Sequence, residues 1–159
     1  MPVVSDKYDY EAELVIVIGE MLNRPSKEQA AKAIFGYTSA MDGSVRDYQK
    51  RTPQWTLGKN FDASGSIGPS IVTADSVPAG AQGLSVQATL NGKTLQDGNT
   101  SDMIFSVDTL VTALAECMTL QPGDMILTGT PAGVGFARKP PVYLKPSDTI
   151  EVVIKGLDT

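Results

Sequence analysis

The sequence contains no histidine and a single cysteine, Cys117. The usual nitrogen- and sulfur-ligated zinc cage therefore cannot be built from this chain, and any metal it holds must be bound through oxygen. That narrows the candidates to hard cations such as Mg2+, Mn2+ or Ca2+. One cysteine also permits no disulfide within the chain, and Cys117, near the end of a predicted helix, is read as a structural residue. Long apolar runs are absent too. The longest, Leu14 to Ile18, is far too short to span a bilayer, and Met1 to Asp6 has no basic segment leading into an apolar one, so a cytoplasmic location away from membranes is expected. Basic residues are few and scattered: 13 Lys and Arg stand against 18 Asp and Glu, for a net charge of -5, which argues against a nucleic-acid partner.

What is present is the composition of an ordinary globular protein. With 159 residues, 42% of them hydrophobic and 19% charged, the chain is long enough to bury a core and is read as one domain over 1–159, with no repeat or linker. Tyr10 to Gly19 reads as a strand whose start carries charge and whose end, Leu14 to Ile18, is core. Ser26 and Gln29 form a capping box for a helix over Lys27 to Phe35, which Gly36 should stop. Tyr37 to Met41 should be a short strand leading into Asp42. Asp42, Arg46 and Gln49, spaced four and three apart, would share one face of a helical turn. Arg51 to Pro69 reads as a long structured loop.

Leu84, Val86, Ala88 and Leu90 alternate with polar residues up to Asn91-Gly92, a type I' turn signal for a hairpin into Lys93 to Gln96. Val107, Leu110, Val111, Leu114, Ala115 and Met118 fall at helical spacing after Ser106. Met125 to Leu127 is a short buried strand, Gly129 to Gly135 a glycine-rich loop, and Thr149 to Ile154 a closing strand. Strands outnumber helices and do not alternate with them regularly, so the class is α+β.

Glu11 and Glu13 are separated by one residue on a strand, so their carboxylates project from the same face and repel. Either this is an acidic strand end left in water, or a cation neutralises it where the strand enters the core. Asp42 is a third carboxylate whose distance from this pair the spacing does not determine. Lys59, taken alone, is a solvated lysine or a cation beside such a cluster. Arg46 is either a helix-face ion-pair partner or a planar fork for a carboxylate. The Gly129 to Gly135 loop lacks the Lys-Ser/Thr ending of a P-loop and the spacing of a dinucleotide fingerprint, which excludes a nucleotide cradle.

The segment Asp9-Tyr10-Glu11-Ala12-Glu13 with its apolar continuation resembles the metal-binding strand of the fumarylacetoacetate hydrolase family. Asp42-Gly43-Ser44-Val45-Arg46-Asp47-Tyr48-Gln49 is similar to its D-x-x-x-R-D-x-Q motif. Trp55 to Asp62 resembles its lysine-bearing loop, and Leu127 to Gly135 its substrate-facing G-T-P-x-G-V-G loop, so the resemblance covers nearly the whole chain.

The resemblance implies a mixed β-sandwich roll with short flanking helices, with Glu11, Glu13 and Asp42 as ligands of Mg2+ or a similar cation. It implies Lys59 and Arg46 as catalytic residues, and Arg46, Gln49 and Thr130 as contacts to a small keto-acid substrate. It further implies a homodimer, and cleavage of C–C bonds in acylpyruvates or 1,3-diketo acids such as fumarylpyruvate or fumarylacetoacetate. Isomerisation, tautomerisation or decarboxylation of 2-keto acids such as oxaloacetate is the alternative, and a metal-binding paralogue without turnover is a third. Hydrolytic members take their water-activating base from a histidine and glutamate pair in a preceding segment. The chain is accordingly expected to be a shortened form of the catalytic domain, lacking that segment and a last strand.

Overall fold

The computed structural model describes residues 1–157. In chain order the elements are β1 (Tyr8–Asp9), β2 (Ala12–Ile18), α1 (Lys27–Lys32), β3 (Ile34–Met41), β4 (Ser44–Val45), α2 (Arg46–Gln49), α3 (Thr56–Lys59), β5 (Ser66–Ile67) and β6 (Val72–Thr73). They are followed by β7 (Ser85–Leu90), β8 (Lys93–Asn99), α4 (Val107–Cys117), β9 (Met125–Leu127) and β10 (Ile150–Ile154). The class is α+β, as expected.

The central sheet runs β5-β3-β2-β9, with β6 also on the edge of β3, and a second sheet runs β10-β7-β8. Every strand pair is antiparallel, the β1–β4 pair included. The residues of β2 divide by face. Ala12, Leu14, Ile16 and Ile18 enter one apolar cluster with Val86 and Ala88 of β7 and Ile154 of β10, so the two sheets form a sandwich. Glu13, Val15 and Val17 point the other way. Helix α4 closes one end of the cluster with Val107, Val111 and Ala115, spaced four apart along one face.

The hairpin is where the sequence places it, turning at Asn91 (φ 51°) and Gly92 (φ 78°). A bulge at Ala88/Thr89 shifts the register so that both Leu95 and Gln96 are buried, which plain alternation does not predict.

Several expectations need correction. The first helix keeps its capping box on Ser26 and Gln29 but ends at Lys32. Ile34, Phe35 and Gly36 belong to β3 instead, because the apolar run of β2 takes them as partners: Ile18 pairs Ile34 and Val17 pairs Gly36. Pairing overrides local helix propensity there. Arg51 to Pro69 is not loop throughout, since it contains α3 and β5. Cys117 and Met118 are exposed, because the buried stripe of α4 ends at Ala115 and both lie past it. Asp42 is not on the helical turn with Arg46 and Gln49; it follows β3 directly, and β4 intervenes. Among the described residues no helix is long and apolar enough to cross a membrane.

Candidate metal centre

Strand register assembles the carboxylates. In the β2–β3 ladder Ala12 faces Met41 and Glu13 faces Ala40. The ladder continues one step beyond the strands, where the Asp42 N–H donates to the Glu11 carbonyl at 2.8 Å. Asp42 therefore lies two residues past Ala40 on the face that Glu13 occupies, opposite Glu11, and the pleat turns all three side chains to one side. Each offers an oxygen, and these oxygens lie within 4.8 Å of one another. Glu11 and Glu13 are buried, Asp42 less so.

Lys59 completes the cluster from α3. Its Nζ is 2.5 Å from Glu11 Oε2 and 2.5 Å from Asp42 Oδ2. That reach depends on Gly58, where a Cβ would lie 2.5 Å from Gln49 Cβ and 2.6 Å from its backbone, so α3 can lie directly on α2 only with glycine at this position. Burial alone would lower the Lys59 ammonium, but its bonds to Asp42 and Glu11 outweigh that and raise it.

Burial also pushes the Glu13 carboxyl up to about 7, against the lowering pull of the Gly129 N–H bonded to it at 2.7 Å; the charges of Asp42 and Glu11 add to the rise and Lys59 opposes it. The donor set fits a hard divalent cation. Its donors are all carboxylate oxygens, and Lys59 offsets one of three negative charges, leaving two for the ion.

The remaining expected site residues are turned toward the protein. Arg46 is buried; its Nε donates to Asp9 at 2.8 Å and its Nη1 to Gln49 Oε1 at 2.9 Å. Nη2 stands 2.7 Å from Glu11 Oε1 as an ion pair without a well-directed hydrogen bond. The Phe136 ring centroid is 4.4 Å from the guanidinium carbon. The Thr130 hydroxyl donates to the Ala12 carbonyl at 2.9 Å and accepts from Gln96 Nε2 at 2.8 Å. Thr130 also borders a cavity of about 460 Å3 with Leu14, Met103 and Phe105, and none of the three carboxylates lines it.

Two residues of this neighbourhood were not singled out from the sequence. Asp9 is fully buried against Arg46, and the acidic alternation 9, 11, 13 was a usable signal for it. Gln96 is fully buried too, accepting from the Ala12 N–H at 2.9 Å and donating to Thr130 and Pro131. Nothing in the sequence marks it, because its burial follows from the bulge.

Fold and site together describe a three-carboxylate centre on one face of an antiparallel sandwich, suited to an oxygen-seeking divalent cation. The family described as fumarylacetoacetate (FAA) hydrolase C-terminal matches residues 1–159. The chain belongs to the fumarylacetoacetate hydrolase family. It is 42% identical over 159 residues to the mitochondrial oxaloacetate tautomerase FAHD2A of Homo sapiens, covering 99% of this chain and 50% of that protein. The fumarylacetoacetate hydrolase of Exiguobacterium antarcticum superposes with a TM-score of 0.92 at 41% identity, covering 96% of this chain and 55% of that one. The fumarylpyruvate hydrolase of Pseudomonas aeruginosa, in complex with Mn2+ and pyruvate, gives a TM-score of 0.87 at 31% identity, covering 99% and 65%. The chain spans about half the length of the curated relatives it matches.

Proposed function

We propose that residues 1–159 carry the metal and proton-transfer core of an enzyme that interconverts the enol and keto forms of a 2-keto acid of the oxaloacetate type. The observation that carries this reading is the Lys59 ammonium in contact with both Glu11 and Asp42. A tautomerase moves one proton between carbon and oxygen, so it needs a stabilised enolate and a proton carrier beside it and no activated water. Glu11, Glu13 and Asp42 would hold a divalent cation, Mg2+ or Mn2+, which would supply Lewis-acid polarisation of the keto-acid carbonyl.

Lys59 opposes the charge that develops on the enolate, gives its ammonium proton to the enolate carbon and regains the proton that the enol oxygen releases, so that one proton moves from oxygen to carbon. Arg46 and Gln49 brace the ligand cluster from behind. Gly129 and Thr130 fix the wall beside Glu13, so the substrate meets a site that does not reorganise. The name of the human relative supports this reading.

Hydrolytic cleavage of an acylpyruvate is the second reading, favoured by the Pseudomonas hydrolase that binds Mn2+ and pyruvate on the same fold. A homodimer belongs to the proposal on family grounds. A cytoplasmic location rests instead on the pattern of apolar residues, and the human relative is named mitochondrial; light scattering and fractionation test these points.

The deciding experiment follows the absorbance of enol-oxaloacetate and of an acylpyruvate in parallel, with added Mn2+ or Mg2+. Metal-dependent loss of the enol, an intact acylpyruvate, and a fall of about 100-fold in Lys59→Met are expected. Cleavage of the acylpyruvate without enol turnover, or full activity in Lys59→Met, overturns the proposal.

A further inference from the structure

Asp9 ends β1 two residues before the ligand Glu11 and is fully buried. Its Oδ1 accepts from the backbone N–H of Tyr10 at 2.9 Å and of Gly135 at 2.7 Å. Its Oδ2 accepts from the Phe136 N–H at 2.9 Å and from Arg46 Nε at 2.8 Å. A carboxylate has about four lone-pair directions, and four donors fill them, so Asp9 has none left for a metal.

Its partners nevertheless lead to the metal centre from two sides. Arg46, fixed by Asp9 on Nε and by Gln49 on Nη1, holds Nη2 2.7 Å from Glu11 Oε1, while Lys59 takes the other oxygen of Glu11. Gly135 and Phe136 end the loop that begins at Gly129, whose N–H holds Glu13. The approach of that loop end is tight: a Cβ on Gly135 would lie 1.7 Å from the Val142 carbonyl and 2.6 Å from Asp9 Oδ1. One buried side chain thus anchors both the arginine that faces one glutamate and the loop whose start holds the other.

We infer that Asp9 is a positioning residue of the metal centre, orienting Glu11 through Arg46 and Glu13 through the 129–136 loop without binding the ion. The inference rests on the assignment of Glu11, Glu13 and Asp42 as ligands. Groups that orient metal ligands are worth about 10- to 100-fold in affinity, whereas a buried ion pair that only supports the fold alters stability and leaves the affinity of the folded molecules unchanged.

The test is Mn2+ titration calorimetry on the full chain and on Asp9→Asn, with thermal unfolding to establish the folded fraction. Asparagine keeps the shape but turns an N–H2 toward donors. The Mn2+ dissociation constant per folded molecule should rise about 10- to 100-fold with unchanged stoichiometry. Arg46→Lys, which keeps a cation beside Asp9 but loses the fork, should weaken binding as well. The double variant should lose less than the product of the two single effects, because part of both runs along one path.

Wild-type affinity in folded Asp9→Asn, or a full product in the double variant, overturns the inference. Should Asp9→Asn fail to fold, wild-type Mn2+ affinity in Arg46→Lys overturns it instead. Glu11→Gln and Asp42→Asn separate the two levels: if they bind Mn2+ like the wild type, the ligand assignment is what fails. If they lose binding while Asp9→Asn keeps it, only the positioning role fails.

Discussion

The Lys59 ammonium lies 2.5 Å from the Asp42 carboxylate and equally close to Glu11, so it is the counter-charge of two of the three clustered carboxylates. Lysine and cation therefore compete for the same oxygens. Lys59→Met should bind Mn2+ at least as tightly as the wild type by calorimetry, while its turnover falls by about 100-fold and its metal-free form unfolds at a lower temperature. Weaker Mn2+ binding in Lys59→Met would show that the lysine supports the ion rather than opposing it.

Lysine-carboxylate pairing also sets an alkaline limit. The pKa of Lys59 is raised in the folded chain, so the stabilisation it brings is complete below the unfolded value of 10.5 and is lost as pH rises through the higher folded value. Denaturation of the metal-free chain should steepen above that point, and Lys59→Met should lack the effect.

Glu13 has a consequence of the same sign in a lower pH window. Its carboxyl is pushed up to about 7 from 4.5, so between those values the folded state binds more protons than the unfolded one, and stability falls as pH rises through that window. At about 1.4 kcal/mol per pH unit the full loss is roughly 3 kcal/mol. Binding of a divalent cation displaces that proton, so metal affinity should climb with pH and level off above about 7. Urea denaturation at pH 5 and pH 8, with and without Mg2+, measures both effects. Glu13→Gln should remove the pH slope, and a slope that survives the substitution would assign it to another group.

Glu11, Glu13 and Asp42 were legible together only through the resemblance of their two segments to the family's motifs, since the acidic alternation alone left a solvated strand end open; the absence of histidine restricted the donor chemistry to oxygen. The hairpin was legible from Asn91-Gly92, and the capping box from Ser26 and Gln29. What stayed hidden depended on pairing between distant segments. The proximity of Asp42 to Glu11 follows from the β2–β3 register, which no local spacing encodes. The assignment of Ile34 and Phe35 to a strand was decided by Ile18 across the ladder, and the burial of Gln96 by the bulge that leaves Leu95 unpaired opposite Ala88 and Thr89.

Gln96 and Thr130 join the loop beside Glu13 to β2 through Ala12, the residue between the two glutamates. Replacing Gln96 with Leu strands the buried Ala12 N–H, at about 1–3 kcal/mol for a buried group left unpaired, and removes the donor to the half-buried Pro131 carbonyl. Thr130→Val removes one donor and should cost about 1 kcal/mol, whereas Thr130→Ser keeps it and should match the wild type in both melting temperature and turnover. A Thr130→Ser variant with normal stability but altered KM would instead assign the threonine to the substrate.

Gly58 offers the sharpest separation of the lysine from its surroundings, because it contacts no ligand yet controls where Lys59 stands. A Cβ there would meet Gln49 at 2.5–2.6 Å, well inside contact distance, so Gly58→Ala must tilt α3 away from α2. Overpacking of this kind costs about 1–3 kcal/mol, and the displaced helix withdraws Lys59 from Asp42 and Glu11 while the carboxylates keep their places on the ladder. Gly58→Ala should therefore resemble Lys59→Met, with Mn2+ affinity retained and turnover reduced. Equal loss of both would mean that α2, and with it Arg46 and Gln49, had moved as well.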